Sequence, residues 1–331
     1  MFSIGDYVTR KSYNRDILFR ITYITPNQIA RLKGVSYRVI ADAPISDLVS
    51  ASDMRYTIKE DSIMALVEKN VNDILAKRAA DGKTHQTEIR KIGSVLHLDS
   101  DAYYLNLCLK YYNKLGIPAV GEHVAEADQP KRVQALIQKY SPDILVLTGH
   151  DALNKNYKSI YDAGEYRNSE HFIDAVKKAR EIRPSSNELV IYAGACQSYF
   201  EGLLDAGADF AASPARVLIH ALDPVFIVEK IATCEFYQVL TVPDALQYTI
   251  TQFKGLGGYE ILGKSKYGAP VTVVSQEDVQ RTRSEGSTKI SKTKYLSKEE
   301  IQKELEKPIF SDSFEDFERD MARYRSRSYR K

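Results

Sequence analysis

Two short apolar runs, each ending at a chemically reactive side chain, constrain the fold of this chain most. The first run continues into Thr148-Gly149-His150, and the second continues into Gly194-Ala195-Cys196. Continuous rather than alternating apolar residues are typical of strands buried on both faces of a parallel sheet. Open α/β sheets bind ligands and carry out chemistry at the carboxyl ends of such strands. The pattern therefore predicts one sheet edge that carries both an imidazole and a thiol.

Alternating strand and helix patterns extend over residues 91–275 and predict an α/β domain, a parallel sheet flanked by helices on both faces. Besides the two runs above, we predict strands over 95–99, 118–124 and 209–212. Predicted helices lie between the strands, over 102–115, 130–140, 170–182, 197–206 and 224–234. The helix over 197–206 would begin directly after Cys196.

The rest of the chain divides into three further predicted segments. Residues 1–52 have four or five short runs of β-branched and aromatic residues separated by turn formers, which suit a small SH3-like β-barrel. Such barrels usually dock partners, so we expect it to position or regulate rather than to catalyse. Residues 53–90 predict a helical, charged linker. Residues 276–331 form a charged C-terminal extension, interpreted as a solvated tail in preference to a basic docking segment.

Composition narrows the functional class. The chain has 331 residues, of which 44% are apolar and 27% charged, with a net charge of +2. This balance favours neither nucleic acid nor a membrane surface as partner. No apolar run approaches the length needed to span a bilayer, and the first residues lack a secretory pattern. Three cysteines are too few for a disulfide framework, so we expect a cytoplasmic protein.

Cys196 and His150 are the candidate catalytic residues. A thiolate can attack a carbonyl, and an imidazole can protonate the leaving amine and then assist water. A cysteine at a helix N-terminus should have a lowered thiol pKa, because unpaired N–H groups and the positive end of the helix dipole lie close. The backbone around Gln197 and Asp151 would supply oxyanion donors, and the small size of Gly149 would let substrate approach.

Simpler interpretations compete with this one. A cysteine at a strand end is often a small buried hydrophobe. We expect no metal, because zinc needs at least three protein ligands and no CxxC or HxxxH spacing supplies them, and no organic cofactor. A ligand-binding domain like those of flavodoxin and cobalamin-binding proteins, or a non-catalytic scaffold, are the alternatives. The remaining histidines and cysteines are interpreted as structural or solvated, namely His85, His97, His123, His171, His220, Cys108 and Cys234.

The two strand-end motifs resemble those of clan CD cysteine peptidases, the group that includes caspases, clostripain and gingipains. In that group one apolar strand ends in His and a second ends in Ala-Cys. Here His150 and Cys196 are 46 residues apart, close to the roughly 50 of the caspase pattern. Asp151 stands where that group usually has Gly, and Gly194 stands where clostripain-like enzymes have an Asp. The resemblance implies a caspase-like sheet.

A second resemblance covers nearly the whole chain. Residues 148–155, residues 192–201 and the start Gly5-Asp6-Tyr7-Val8 are similar to those of the YabG sporulation peptidase family. The resemblance implies an endopeptidase of endospore-forming bacteria that processes spore coat proteins in the mother cell and cuts after Arg. It places the catalytic roles on Cys196 and His150. The oligomeric state is left open.

An arginine-binding pocket would require a carboxylate. Asp99 and Asp101 lie at the carboxyl end of the first strand, on the expected catalytic edge. Either residue would also suit the N-cap of the helix over 102–115. Cap and pocket are near even as interpretations, with Asp101 slightly favoured for the pocket. Glu122 and Glu126, near the end of the second strand, are weaker candidates.

Overall fold

The computed structural model describes residues 2–15, 17–51, 54–82 and 89–268, and within them all side chains except those of residues 54–59, 81, 82 and 89. The predicted C-terminal extension, residues 276–331, and His85 lie outside these ranges. Among the described helices, none combines the length and the hydropathy needed to cross a lipid bilayer.

An antiparallel sheet of five strands opens the chain. Its order is β4-β3-β2-β1-β5, and the strands are β1 (Tyr7–Arg10), β2 (Phe19–Ile24), β3 (Ile29–Gly34), β4 (Ile40–Pro44) and β5 (Leu48–Ser50). Alternate residues such as Val8, Phe19 and Leu32 are buried on one face, as expected for a sheet covered on one side. β4 and β5 form its two edges and do not pair with each other among the described residues. Closure into an SH3-like barrel is therefore not confirmed.

A long helix, α1 (Met54–Gly82), leads from this sheet to the second one. Val67, Val71 and Ile74 recur at intervals of three and four residues and are buried in the core beneath the central sheet. The short strand β6 (Ile89–Lys91) follows and pairs with the last described strand. The helical character predicted for residues 53–90 is thus observed over most of that segment.

The central sheet has six strands in the order β13-β11-β10-β9-β7-β8. Five are parallel, and the edge strand β13 runs antiparallel to β11. The strands are β7 (Val95–Asp99), β8 (Ala119–His123), β9 (Ile144–Thr148), β10 (Val190–Ala193), β11 (Phe210–Ala212) and β13 (Leu256–Gly258). The short strands β12 (Val239–Leu240) and β14 (Ile261–Leu262) pair with each other, and β15 (Lys266–Gly268) pairs with β6.

Helices cover both faces of this sheet, which confirms an α/β fold. They are α2 (Ala102–Lys114), α3 (Gln129–Tyr140), α4 (Ser169–Ile182), α5 (Phe200–Asp205), α6 (Asp223–Thr233), α7 (Val242–Leu246) and α8 (Gln252–Gly255). Val146 and Tyr192 belong to the core on the face of α2 and α6. Leu145, Leu147 and Ile191 belong to the core on the face of α3 and α4. Because every residue of β9 and β10 is buried on one face or the other, these two strands have continuous apolar sequences.

Candidate active site

The strands that end near His150 and Cys196 are direct neighbours. β9 and β10 pair in parallel, with Leu147 opposite Ala193, and the N–H of Gly194 donates to the carbonyl of Leu147 at 3.0 Å. Neighbouring strands lie about 4.8 Å apart and point the same way, so both turns leave the same sheet edge side by side. The prediction that the two strands are adjacent is confirmed.

Cys196 is buried, with 2% of its surface exposed. The N–H of Ile219 donates to Sγ at 3.1 Å. Burial raises the pKa of the Cys196 thiol to about 11, against the smaller lowering effect of the Ile219 hydrogen bond. The sequence-based expectation of a lowered thiol pKa is wrong for this conformation. Its premise fails as well, because the helix predicted over 197–206 begins only at Phe200.

The turn around Cys196 depends on unusual backbone angles. Gly194 has a φ of +108°, and a Cβ there would lie 2.8 Å from Leu203 Cδ1. Gln197 has a φ of +57°, which is rare for a residue with a side chain and clusters at functional sites. This left-handed residue prevents a helix from starting directly after the cysteine. The Gln197 N–H, a predicted oxyanion donor, donates to the carbonyl of Val217 at 3.2 Å.

Asp151 ties the two turns together. Its Oδ2 accepts hydrogen bonds from Ser198 Oγ at 2.9 Å and from Ser169 Oγ at 2.5 Å. Ser198 Oγ in turn accepts from the N–H of Ala195 at 2.9 Å. Burial raises the pKa of Asp151, while these hydrogen bonds oppose the rise. In the described part of the chain, no hydrogen bond uses the N–H groups of Gly149 and Asp151, so both could serve an oxyanion.

His150 is held through one ring nitrogen and leaves the other without a partner. Nε2 lies 3.0 Å from Asp101 Oδ2, whereas Nδ1 is buried and makes no hydrogen bond to any described residue. The His150 N–H donates to Glu126 Oε1 at 2.8 Å, and the ring packs edge-on against Tyr104. Since an ionised carboxylate only accepts hydrogen bonds, Nε2 carries a proton, and Nδ1 is the ring nitrogen left to act as a base.

Asp101 is ionised and fully engaged. Burial by itself would raise the pKa of Asp101. The hydrogen bond from His150 and the charge of Lys33 outweigh this effect and lower the pKa to about 2. Its Oδ1 also accepts from the N–H of Tyr103 at 3.0 Å, which confirms the predicted N-cap of α2. Contact with His150 was not foreseen, because local spacing carries no information about the partner across the sheet edge. The arginine-pocket role of Asp101 stays a prediction.

Asp99 is fully buried and forms an ion pair with Arg38 of the N-terminal sheet. Burial by itself would raise the pKa of Asp99, but the charge of Arg38 outweighs this effect and lowers the pKa well below its usual range. Its Oδ2 also accepts from Thr148 Oγ1 at 2.8 Å, and Oδ1 accepts from the Asp101 N–H at 2.9 Å. A substrate arginine would have to displace Arg38 to reach this carboxylate.

Residues 219–221 form a strip that covers Cys196, and the connection between β3 and β4 holds this strip in place. The N–H of Ala221 donates to the carbonyl of Ser36 at 2.9 Å, and the N–H of Arg38 donates to the carbonyl of Ile219 at 3.4 Å. Two backbone hydrogen bonds with the N-terminal part of the chain therefore fix the strip that buries the thiol. From the sequence, residues 37–40 are predicted only as one of the short β-strands, so the role of this connection at the site could not be read from it.

Tyr104 of α2 joins the same connection to the catalytic edge. Its hydroxyl lies 2.7 Å from the carbonyls of both Gly34 and Tyr37, and its ring is 5.8 Å from that of His150. Burial raises the pKa of Tyr104 well above its ordinary value, with smaller contributions from Asp101 and other neighbours including Cys196. Tyr104 thus contacts both the His150 ring and the connection that holds the covering strip.

The other predicted structural residues fit their interpretation. His97 and His220 are buried, and burial lowers the pKa of His220 to about 3. Cys108 is buried inside α2 and Cys234 caps the end of α6. Glu122 accepts hydrogen bonds from Tyr140 and Arg132 rather than facing the catalytic turns. Within the described ranges no group of three or more His, Cys, Asp or Glu side chains could hold a metal ion.

Fold and site together define an α/β protein whose neighbouring strand ends present an imidazole and a thiol. A family model described as YabG peptidase U57 matches residues 3–270. The chain is also 44% identical over 284 residues to the protein named sporulation-specific protease YabG of Bacillus subtilis (strain 168), which covers 81% of this chain and 98% of the relative. No solved structure matches it.

The chain therefore belongs to the YabG peptidase family, and it is a peptidase and thus a hydrolase. Membership of a peptidase family favours this class over the ligand-binding and scaffold alternatives.

Proposed function

We propose that the chain is a cysteine endopeptidase in which Cys196 is the nucleophile and His150 the general acid and base. The observation that carries the proposal is the pairing of β9 with β10, which brings the two turns to adjacent positions. The state of His150 supports it, because Asp101 holds Nε2 while Nδ1 stays without a hydrogen-bond partner among the described residues.

The first half of the reaction breaks the peptide bond. Because the Cys196 thiol keeps its proton in the described conformation, Nδ1 of His150 takes that proton as sulfur attacks the scissile carbonyl. The negative charge that develops on the carbonyl oxygen would be met by the N–H groups of Gly149 and Asp151. Collapse of the tetrahedral intermediate expels the amine, which receives the proton from the imidazolium, and leaves a thioester on Cys196.

The second half releases the acyl group. His150 removes a proton from water as the water attacks the thioester carbonyl, and the thiolate then leaves and recovers that proton. The products are a carboxylic acid and the free enzyme, so no external oxidant or cofactor is needed. Substrate must displace the strip around Ile219, since that strip covers the sulfur.

We also propose that the substrates are spore coat proteins, that cleavage follows arginine, and that the protein acts in the mother cell at the forming coat. The relative from Bacillus subtilis is named a sporulation-specific protease, which supports the setting. Asp99 is committed to Arg38, so Asp101 is the candidate of the two for contact with the substrate arginine.

The test uses the full chain and an internally quenched peptide with one central arginine. Cys196→Ala should abolish cleavage, whereas Cys234→Ala, a change of the same size at a half-exposed thiol, should leave it intact. A peptide electrophile with arginine at its reactive end should modify Cys196, as located by mass spectrometry of digested protein. Cleavage that survives in Cys196→Ala would refute the proposal.

A further inference from the structure

Lys33 reaches from the N-terminal sheet to the catalytic edge. It lies on β3, and its Nζ is 2.8 Å from Asp101 Oδ2 and 3.0 Å from Oδ1. The lysine side chain is 28% exposed and the aspartate 8%. An ion pair that is mostly withdrawn from water is screened less than a surface pair. The charge of Lys33 is therefore felt by the Asp101 carboxylate and by the group that this carboxylate contacts.

The same carboxylate oxygen that faces Lys33 also holds His150. Asp101 Oδ2 lies 3.0 Å from His150 Nε2, so the ammonium, the carboxylate and the imidazole form one continuous chain. Asp101 Oδ1 is fixed from the other side by the N–H of Tyr103. Lys33, Tyr103 and His150 thus occupy both oxygens of the carboxylate, and the oxygen that faces His150 requires a proton on Nε2.

We propose that Lys33 is a positioning residue of the active site, acting on His150 through Asp101. It fixes the carboxylate that sets the tautomer of His150, and its positive charge offsets the tendency of that carboxylate to favour the imidazolium. The proposal rests on the role of His150 given above. It makes the N-terminal sheet a part of the catalytic apparatus instead of a separate docking module.

The charges around His150 show why a cation matters there. Asp101 contacts the ring, Glu126 accepts from the backbone N–H, and Asp151 is the next residue in the chain. Tyr104, whose ring packs against that of His150, adds no charge at neutral pH because burial raises its pKa. Of the nearby cations, Arg38 is committed to Asp99, whereas Lys33 contacts the carboxylate that holds the ring.

A competing explanation makes opposite predictions. If Asp101 were the base of an arginine pocket, Lys33 would be an internal stand-in for the substrate side chain. Removing Lys33 would then vacate the pocket and lower KM for arginine peptides, with kcat unchanged. Removing a positioning residue lowers kcat instead and leaves KM unchanged.

The kinetic test compares Lys33→Met, Lys33→Arg and the control Lys131→Met in the full chain. Lys131 forms an exposed ion pair with Asp128, so its loss removes the same charge away from the site. We expect Lys33→Met to lower kcat about tenfold or more and to move the acid limb of kcat/KM to higher pH, because His150 is then protonated more easily. Lys33→Arg should restore both quantities, and Lys131→Met should change neither.

A second measurement does not depend on catalysis. In the Cys196→Ala protein, the His150 ring can be titrated by NMR, with its signal assigned by its disappearance in His150→Gln. Adding Lys33→Met should raise the titration midpoint by at least about half a pH unit, the effect of a unit charge roughly 6 Å away in a water-like dielectric.

An unchanged midpoint together with unchanged kcat would overturn the role of Lys33, and so would a fall in KM alone. Cleavage by Cys196→Ala would overturn the proposed function instead, and the NMR titration would still decide whether Lys33 acts on His150. Thermal unfolding of each variant shows whether a loss of activity comes from a loss of folding. Lys33→Arg keeps the ion pair with Asp101 and should therefore unfold at the same temperature as the unchanged protein.

Discussion

The backbone N–H of Ile219 donates a hydrogen bond to the sulfur of Cys196 at 3.1 Å, so the described conformation holds the proposed nucleophile under a covering strip. The thiol beneath the strip is protonated at neutral pH, since burial raises its pKa to about 11. In this conformation the site is closed, so we expect substrate binding to require movement of the strip around Ile219.

Alkylation should report this closure. At pH 7.5 iodoacetamide should modify Cys196 about 100-fold more slowly than a free thiol, because a pKa two units higher leaves about 100-fold less thiolate. Half-exposed Cys234 should react faster than Cys196, and buried Cys108, whose pKa burial raises to about 12, should react slowest. Mass spectrometry of timed digests measures the order. Rapid modification of Cys196 in the resting protein would show that the site is open.

Asp101→Asn should separate the orienting role from the pocket role. Loss of the carboxylate that holds Nε2 should lower kcat about 10²-fold or more for every cleavable peptide, because the imidazole loses its tautomer and orientation. A pocket role would instead weaken only arginine peptides relative to peptides with a neutral residue at the same position. The measurement is kcat and KM for a matched pair of peptides. Selective loss for the arginine peptide would restore the assignment made from sequence.

Arg38→Met should destabilise the protein strongly. The change leaves Asp99 charged and buried without its cation, a situation that typically costs about 3–5 kcal/mol. Arg31→Met, at an exposed position of the preceding strand β3, should change the free energy of unfolding little. Urea unfolding followed by circular dichroism measures both. Adding Asp99→Asn to Arg38→Met should recover part of the loss, and strict additivity would contradict a direct pair.

Asp223 should make stability depend on pH between about 4 and 7. Burial raises its pKa to about 6, although Thr251 and the N–H of Ile250 donate hydrogen bonds to it. The folded state therefore keeps this proton after the unfolded state has released it, so stability falls as pH rises through this window. Relative to Asp223→Asn, the free energy of unfolding should fall by about 3 kcal/mol at most. A constant difference between the two proteins across the window would contradict the assignment.

Sequence patterns were sufficient for the five parallel strands of the central sheet and for its longer helices, because the signals are local, but β13, α7 and α8 were not predicted. The apolar runs of β9 and β10 and the helical periodicity of α6 each lie within about ten consecutive residues. The backbone after Cys196 was predicted wrongly, since the left-handed angle at Gln197 leaves no trace in composition.

Contacts between distant segments were beyond the reach of the same patterns. Lys33 and Asp101 are 68 residues apart, and Arg38 and Asp99 are 61 apart. Nothing in the local sequence of β3 or of the connection after it says that Lys33 and Arg38 meet acids at the end of β7. The candidate pair Cys196 and His150 could be named because each ends its own strand, whereas the residues that orient and cover them could not.

The Arg38–Asp99 ion pair also bears on how such a chain can be shortened or recombined. β7 carries an anion into the interior, and the counter-ion is supplied by a segment that is synthesised first. A peptidase sheet transplanted without the first fifty residues would inherit a negative charge with nothing to neutralise it. We therefore expect a shortened chain to fold stably only if it keeps the N-terminal sheet or has an uncharged residue at position 99.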